Sequence, residues 1–299
     1  MFFRVLYSKF GIIIKKFNND TITFDELIEE AIKLDKYEYH FKYILIDEYQ
    51  DISNQRFFLI NKYVKIENSK LMCVGDDWQT IFSFASSNIQ KILNFHKAFS
   101  DVKILKILMT YRNSQELVDI AGNFVMKNKR QITKKLRSIK HLNHPVEMLY
   151  FKNKKDKILK IGAILDALFR NNPNLKIAFL ARYKFELKEL IDNKNFYYEN
   201  NILYYRQKEI LFYTIHTSKG LGFDYVFILN NKKGYYGFPP KRINRSLFKE
   251  EKAYFEERRL FYVALTRTKN KVYLIVPDKG FSIFAKEIKN VLKKNKYLI

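Results

Sequence analysis

The sequence of 299 residues contains one cysteine and no long apolar run. Cys73 lies within the apolar stretch LMCVG, which predicts a buried side chain and excludes both a disulfide framework and a cysteine-rich zinc site. So little cysteine is typical of a reducing compartment, and we expect a cytoplasmic location. No apolar run approaches the roughly 20 residues that cross a bilayer, and Lys15 and Lys16 interrupt the run at residues 11–14. We therefore expect no signal peptide, membrane anchor or membrane contact.

Acidic residues are few relative to basic ones. Lys and Arg number 55 against 31 Asp and Glu, which gives a formal net charge of +24 at pH 7. This excess indicates a polyanionic partner, with nucleic acid as the first candidate. Aromatic residues make up 16% of the chain, so some could stack on bases, although most must form the core. The length suits one large or two medium domains.

Two stretches, YILIDEYQD and LMCVGDDWQ, share an apolar run of strand length followed by polar residues. In the first, Asp47 and Glu48 directly follow Tyr43–Ile46, which predicts two carboxylates at the carboxyl end of a buried parallel strand. One carboxylate there can hold magnesium, and a second can orient or deprotonate an attacking water. An acidic pair alone more often belongs to a helix cap or a solvated loop. The second stretch, ending in Gln79, makes a phosphate site the better interpretation.

The rest of the chain alternates predicted helices and strands, which indicates an α/β fold. Helices are predicted over residues 23–34, 52–64, 114–126, 157–169, 185–191, 253–265 and 281–294. Strands are predicted over residues 71–74, 103–109, 146–150, 176–181, 225–229 and 271–276. The Tyr- and Asn-rich run up to Tyr205 has no clear period. The basic stretch 127–144 is either a linker or a strip of contacts to a nucleic-acid backbone.

Several polar and aromatic positions have two interpretations on spacing alone. Phe82 and Phe84 would share one face of an extended segment, and spacing favours core over base stacking. Arg112, between a predicted strand and a predicted helix, could contact phosphate or lie on the surface. In TIHTSKGLG, the small hydroxyls, imidazole and glycine suit phosphate contacts. A lone histidine would more often be structural, but the position of His216 within this turn favours function.

Five stretches together resemble the ordered motifs of UvrD/Rep-type superfamily 1 DNA helicases. DEYQD resembles motif II, VGDDWQTIF motif III, TYRNS motif IV, TIHTSKGLGFDYV motif V and EERRLFYVALTRT motif VI. The residues of these motifs are most similar to those of the helicase IV branch, and the resemblance covers about residues 23–276. It implies an α/β, RecA-like P-loop NTPase helicase fold. Residues 1–108 would be part of a first RecA-like domain (1A, motifs II and III), and residues 109–299 a second (2A, motifs IV to VI) with a short insertion.

The resemblance also implies roles at a nucleotide site. Asp47 is expected to hold Mg²⁺, Glu48 to act as the catalytic base and Gln79 to sense the γ-phosphate of ATP. Tyr111 is expected to stack on the adenine. Two arginine fingers are implied, Arg112 and Arg267. The EERR run of motif VI is expected to support Arg267.

A second set of implied roles concerns DNA. Phe82 and Phe84 match aromatic positions that stack on single-stranded DNA, which reverses the preference for core. The turn of motif V is expected to lie along the DNA or to couple the DNA to the nucleotide. The residues expected to contact DNA are Thr214, His216, Ser218 and Lys219. Gly220 is expected to lie on the nucleotide side. The implied activity is ATP-dependent 3′–5′ movement on single-stranded or partly duplex DNA, in repair, recombination or defence.

Two departures from the family pattern bear on activity. No GxxxxGK[ST] occurs in the sequence, and Gly222 stands where the family usually has Glu. Each charge-assisted phosphate contact that is lost removes about 1.5–3 kcal/mol, so we expect weak nucleotide binding and slow hydrolysis. We expect that the Walker A portion is supplied by a separate protein chain or was lost by gene truncation. The alternatives are a non-catalytic DNA-binding or regulatory subunit, and a basic protein unrelated to helicases, against which the ordered motifs count.

Overall fold

A computed structural model describes residues 24–34, 40–83, 88–191, 195–200, 202–241 and 248–294. Thr23, the first residue of the helix predicted over residues 23–34, and the candidate DNA contact Phe84 lie outside these residues. The chain divides into two compact units, Met1–Val102 and Lys103–Ile299. Within the described ranges, no helix has the length and apolar character needed to cross a membrane.

The described part of the first unit contains a small parallel sheet, two longer helices and two helices of four residues. Strand β1 spans Tyr43–Ile46 and pairs in parallel with β2, Lys70–Cys73. The helices of this unit are α1 (Phe24–Lys33), α2 (Asn54–Glu67), α3 (Gln90–Leu93) and α4 (Phe95–Ala98). Helix α2 begins two residues after the predicted start because the Ser53 hydroxyl caps it by accepting a hydrogen bond from the Arg56 N–H.

The prediction that β1 is a buried strand is wrong. Ile46 and Cys73 pack against a buried cluster that includes Tyr49, but Leu45 is 74% exposed on the opposite face of the sheet. Its cross-strand partner Met72 on β2 is also exposed, so within the described residues that face lacks a covering layer. Cys73 is half-buried rather than buried, and desolvation raises the pKa of its thiol to about 12.

The second unit is built on a seven-stranded sheet with the order β5-β11-β10-β6-β9-β8-β7. Its strands are β5 (Val146–Phe151), β6 (Ile177–Ala181), β7 (Phe196–Glu199), β8 (Ile202–Tyr205), β9 (Lys208–Thr214), β10 (Phe223–Ile228) and β11 (Thr268–Pro277). Neighbours from β5 to β9 run parallel, whereas β8 runs antiparallel to both β9 and β7. Every residue of β6 is buried, as expected for a central parallel strand.

Apolar helix faces pack against this sheet and against one another. Helix α6 (Lys154–Asn171) contributes Ile161 and Leu165 to a core shared with Phe179 on β6. A second core joins α5 (Gln115–Val125), α8 (Phe248–Leu265) and α9 (Ile283–Lys294) through the rings of Phe124, Phe261 and Phe284, whose centroids lie 5.2–5.5 Å apart. The short helix α7 spans Lys188–Ile191.

One local prediction differs from the structure, and one stretch without a prediction forms regular structure. Residues 103–108 form no strand and Leu105 is 89% exposed; only Met109–Thr110 (β3) pairs, with Arg137–Ser138 (β4). An apolar run becomes a strand only where a neighbouring strand accepts its backbone hydrogen bonds. The Tyr-rich run without a clear period instead forms the β7–β8 hairpin, in which Tyr197 stacks on Tyr204 across the strands.

Candidate functional site

A polar network lies at the carboxyl ends of β1 and β2. The buried Gln50 donates from its Nε2 to a carboxylate oxygen of Glu48 and accepts at Oε1 from the Asp76 N–H at 2.9 Å. Gln79 donates from Nε2 to Asp76 Oδ2 at 2.7 Å. The structure thus brings the predicted Glu48 and Gln79 into one network. Sequence reasoning missed Gln50 and Asp76 as its links, although both lie within the stretches that it selected.

Backbone geometry also shapes this strand end. Glu48 has φ 51°, a left-handed conformation, and its N–H donates to Asp47 Oδ1 at 2.8 Å. Gly75 allows a close approach, because a Cβ there would lie 2.8 Å from Gln50 Oε1. The turn at Glu48 and the glycine together let Gln50 bridge the two strand ends. A larger residue at position 75 would displace the amide that holds Glu48 and Asp76.

Asp47 is the one predicted metal ligand. It is exposed at the end of β1. In the described ranges, no group of three His, Cys, Asp or Glu side chains could hold a metal ion. Mg²⁺ in nucleotide sites is usually bound through one or two carboxylates together with substrate phosphates and waters. The residues therefore fit a magnesium ion shared with phosphates.

The rest of motif III is largely packed. Asp77 and Trp78 are buried, and the Asp76 carboxylate accepts from the Trp78 N–H at 3.1 Å. Phe82 is half-buried, so part of its ring faces solvent and part contacts the protein. The structure therefore agrees in part with each interpretation of Phe82, as a core residue and as a residue that stacks on bases.

Two predicted arginines approach the same turn in the second unit, at the amino ends of β10 and β11. Arg267 is buried and donates from Nε to Val263 O at 3.1 Å and from Nη1 to Leu221 O at 3.4 Å. A Cβ built on Gly222, the next residue, would lie 3.8 Å from Arg112 Nε. Residues that are 155 positions apart in the sequence thus converge on one turn, Leu221–Gly222.

Asn113 holds this arrangement together. Its Nδ2 donates to Thr266 O at 3.3 Å and to Thr268 O at 2.6 Å, on either side of Arg267. Asn113 is buried, whereas the neighbouring Tyr111 is 76% exposed. An exposed ring is open to a planar ligand such as adenine, whereas Asn113 serves only to join two segments.

The predicted motif V residues form the turn after β9. Thr214 ends the strand, and its hydroxyl lies 3.0 Å from the exposed Thr217 hydroxyl, which sequence reasoning had not selected. Ser218 is completely buried and donates to Ile215 O at 2.7 Å, so its side chain stabilises the turn and is not exposed to a DNA strand. Lys219 is half-buried, and Gly220 has φ 80°, which favours glycine.

His216 lies in this turn, close enough to Arg182 for the arginine charge to affect the pKa of the histidine. Burial, and next the positive charge of Arg182, lower the pKa of His216 to about 4, so the ring is neutral at pH 7. Arg182 is held by a bidentate ion pair with Glu257, in which Nη2 lies 2.6 Å from Oε1 and Nε lies 3.0 Å from Oε2. Glu257 belongs to the EERR run. Within this run Glu257 binds Arg182, and Arg258 binds Glu287 at 2.5 Å. The support of Arg267 by the EERR run stays a prediction.

The second unit therefore presents two groups of candidate residues at opposite edges of one sheet. Thr214 and His216 lie at the carboxyl end of β9, whereas Arg112 and Arg267 lie at the amino ends of β10 and β11. The segment 215–222 runs from one edge to the other, because β9 and β10 both run parallel to β6. A short segment with its own hydrogen bonds, such as that from the Leu221 N–H to Ser218 O at 3.0 Å, thus connects the two edges.

Comparison with known proteins gives consistent matches. Residues 5–279 match the family model of the UvrD-like helicase C-terminal domain. DNA helicase IV of Escherichia coli (strain K12) is 32% identical over 286 residues, which cover 91% of this chain and 40% of that protein. ATP-dependent DNA helicase Rep of Buchnera aphidicola subsp. Acyrthosiphon pisum is 31% identical over 168 residues, covering 53% of this chain and 25% of that protein. The chain thus spans well under half the length of these relatives.

Proposed function

The chain belongs to the UvrD-like helicase C-terminal domain family, and from this membership we propose that it is the C-terminal part of a helicase that moves 3′ to 5′ along single-stranded DNA, driven by ATP hydrolysis. Its α/β, RecA-like fold follows from the same family match. We assign residues 1–108 to part of a first RecA-like domain and residues 109–299 to a second. The substrate in this proposal is single-stranded or partly duplex DNA, in repair, recombination or defence.

The observation that carries the proposal is the meeting of Arg112 and Arg267 at the Leu221–Gly222 turn. Arginines that converge on one place from distant segments are typical of sites that stabilise the negative charge of a transferred phosphoryl group. We propose that both act on the γ-phosphate of ATP. Tyr111, exposed beside Arg112, would stack on the adenine.

In the first unit we propose that Glu48 accepts a proton from the attacking water and that Asp47 binds Mg²⁺. Gln79 would contact the γ-phosphate, and its bond to Asp76 fixes the amide in place beforehand. Bound ATP and Mg²⁺ supply the phosphoryl group and the charge that polarises it. The chain's own residues orient the water and compensate the developing charge.

For DNA we propose contacts from Thr214, His216 and Lys219 in the second unit and from Phe82 and Phe84 in the first. Because His216 is neutral at pH 7, it would donate or accept a hydrogen bond rather than attract phosphate by charge. Gly220 and the segment 215–222 would transmit the nucleotide state to the DNA contacts. The net charge of +24 supports a strongly salt-dependent interaction.

One sequence feature favours a second candidate function. The 299 residues contain no GxxxxGK[ST], so the phosphate cradle would come from a polypeptide segment outside them. The second candidate is a DNA-binding or regulatory subunit that does not itself turn over ATP. The two candidates make the same prediction for DNA binding and opposite predictions for hydrolysis in the presence of that segment.

ATP hydrolysis stimulated by single-stranded DNA separates the candidates. The purified chain would be assayed alone and together with the fragment of E. coli helicase IV that precedes the matched region. We expect no turnover by the chain alone and turnover in the mixture, reduced about 100-fold or more by Glu48→Gln. The exposed acid Glu199 on β7 provides the matched control, Glu199→Gln, which should leave the rate unchanged.

The outcomes differ in meaning. Turnover by the chain alone that disappears in Glu48→Gln would mean that other residues replace the phosphate cradle. No turnover in either assay, with salt-sensitive binding of single strands retained, would favour the regulatory subunit. A chain that binds no single-stranded DNA would overturn the proposal.

A further inference from the structure

Four aromatic side chains that have no role so far form one cluster in the second unit. The rings of Tyr183 and Phe185 are stacked, with centroids 5.2 Å apart and planes at 9°. Tyr236 packs edge-on against both, at 5.7 and 5.3 Å, and Tyr235 packs against Tyr236 at 4.9 Å. We call these four residues the aromatic cluster.

The aromatic cluster is not part of the core. Phe185 is 46% exposed, Tyr235 59% and Tyr236 53%, whereas Phe179 and Phe227 on the adjacent strands are completely buried. Single exposed aromatic residues are common, but several in mutual contact form an apolar surface that is costly to leave in water. Such a surface is typical of a binding site.

Buried residues next to the aromatic cluster hold it in place. The Asn230 side chain donates to Tyr236 O at 2.6 Å and to the buried Glu186 Oε1 at 2.8 Å. Phe238, two residues after Tyr236, is completely buried and packs on Phe261 at 5.0 Å. Before the exposed rings, the Lys233 N–H donates to Gly280 O at 2.7 Å, so the loop of residues 232–241 is anchored on both sides of them. Rings that are fixed before binding lose little conformational entropy on binding.

The surroundings of the aromatic cluster are basic and lie beside the proposed DNA contacts. Arg182, 4.8 Å from the Tyr183 ring centroid, is close enough to His216 to lower its pKa. Strands β6 and β9 are parallel neighbours, so the segments that follow them lie at the same edge of the sheet. Exposed lysines flank the rings in sequence, namely Lys184, Lys233 and Lys241. Positive charge beside exposed rings is complementary to a phosphate backbone that carries bases.

We propose that the aromatic cluster is a stacking platform for unpaired bases of single-stranded DNA. The inference rests on the proposed function, in which a DNA strand passes Thr214 and His216 at this edge. Bases offer their faces to protein rings only when they are unpaired, so the platform selects single strands over duplex. Stacking on rings tolerates any base sequence, which suits a protein that moves along DNA.

The test compares two oligonucleotides of equal length and charge, one of thymidines and one of abasic sites, by fluorescence anisotropy. Phe185→Ala and Tyr236→Ala should each weaken binding of the thymidine strand by about 5- to 150-fold. Binding of the abasic strand should not change, because its phosphates contact lysines that remain. Tyr236→Phe, which keeps the ring, should restore binding. The matched control is Tyr197→Ala, which removes a ring from the exposed Tyr197–Tyr204 pair in the β7–β8 hairpin and should leave both affinities unchanged.

Each other result overturns the inference. If the wild-type chain binds the thymidine strand but the cluster variants bind it equally well, the platform is wrong and the proposed function stands. If the variants bind both strands more weakly and to an equal degree, the rings affect binding through the fold or through charge rather than through stacking. If DNA binding is unchanged but the variants alter the oligomeric state, the aromatic cluster is a protein contact. If the wild-type chain binds neither strand, the proposed function falls together with the platform.

Discussion

At the scale of single residues, Glu186 illustrates how burial changes chemistry. The side chain is buried, and desolvation raises its carboxyl pKa from 4.5 to about 7, opposed by hydrogen bonds from Asn230 and from the Tyr183 N–H. Glu186 and Asn230 form the support beneath the aromatic cluster. The protonation state of one carboxyl group is therefore linked to the stability of a surface that we propose binds DNA.

This pKa predicts how stability depends on pH. Between pH 4.5 and about 7 the folded chain keeps the Glu186 proton while the unfolded chain releases it. Raising the pH across this window therefore favours unfolding, by roughly 1.4 kcal/mol per pH unit from this group. Glu186→Gln should remove that loss. The measurement is the difference in urea midpoint between variant and wild type at pH 5, 6 and 7, which should grow with pH.

The exposed Glu209 on β9 provides the matched control. Glu209→Gln should give a difference from wild type that stays constant over the same pH range. A constant difference for Glu186→Gln as well would show that the carboxyl is ionised in the folded chain throughout.

Sequence reasoning located candidate residues better than it located their partners. Asp47, Glu48, Gln79, Arg112 and Arg267 were chosen because the ordered motifs resemble a family, and their roles remain predictions. The contacts that position such residues were missed, since they depend on chain reversals that no local pattern contains. Arg182 and Glu257 are 75 positions apart, and Asn113 binds carbonyl groups more than 150 positions away. Only the folded topology makes these residues neighbours.

At the scale of elements, the connection that carries Tyr111 and Arg112 is tied to the start of β11 by Asn113. Asn113→Ala would leave Thr266 O and Thr268 O without this donor in a buried place. We expect the free energy of unfolding to fall by about 1–3 kcal/mol. Urea denaturation would measure this loss. Asn123→Ala, an exposed site on α5, should stay within about 0.5 kcal/mol of wild type, and an equal loss at both sites would contradict the special role of Asn113.

The loop 232–241 gives a second prediction at this scale, which compares its Gly237 with Gly222, a glycine outside the loop. A Cβ on Gly237 would lie 2.4 Å from Lys232 O, a contact with backbone that cannot relax easily. Gly237→Ala should therefore destabilise the second unit by about 1–3 kcal/mol and displace the aromatic cluster. Gly222→Ala meets only Arg112 Nε at 3.8 Å, an ordinary contact, and should be tolerated. Thermal unfolding of both variants tests the contrast, and equal losses would show that the loop is looser than its contacts indicate.

Elements with a strong apolar period were predicted well, and those without a local signal were not. The structure confirms β6, β10 and β11 and helices α5, α6, α8 and α9, with ends shifted by a few residues. The predicted strand over residues 103–109 is wrong because its apolar period says nothing about a neighbouring strand. The β7–β8 hairpin was missed because tyrosines occupy successive positions and hide the alternation of faces.

At the scale of the whole molecule, the two units differ in how completely their sheets are covered. The first has a parallel pair, β1 and β2, with one apolar face exposed in the described residues, whereas in the second α6 packs a buried apolar core against a seven-stranded sheet. A two-stranded sheet has little stability of its own, because few of its apolar groups are removed from water. The units should therefore open independently, the first at lower free energy.

Native-state hydrogen exchange tests this difference. Amides of β1 and β2 should exchange about tenfold or more faster than those of β6 and β10, because each 1.4 kcal/mol of lower opening free energy corresponds to a factor of ten. Strands at the edge of a sheet can exchange faster than central ones. The hairpin strands β7 and β8, at one edge of the large sheet, therefore serve as the control for this effect. Their protection should exceed that of β1 and β2 if sheet size and coverage decide stability. Equal exchange across β1, β2, β6 and β10 would mean that the chain unfolds as one cooperative body. If the helicase IV fragment that precedes the matched region slows exchange in β1 and β2 alone, that fragment covers the sheet face that is exposed in the described part of the first unit.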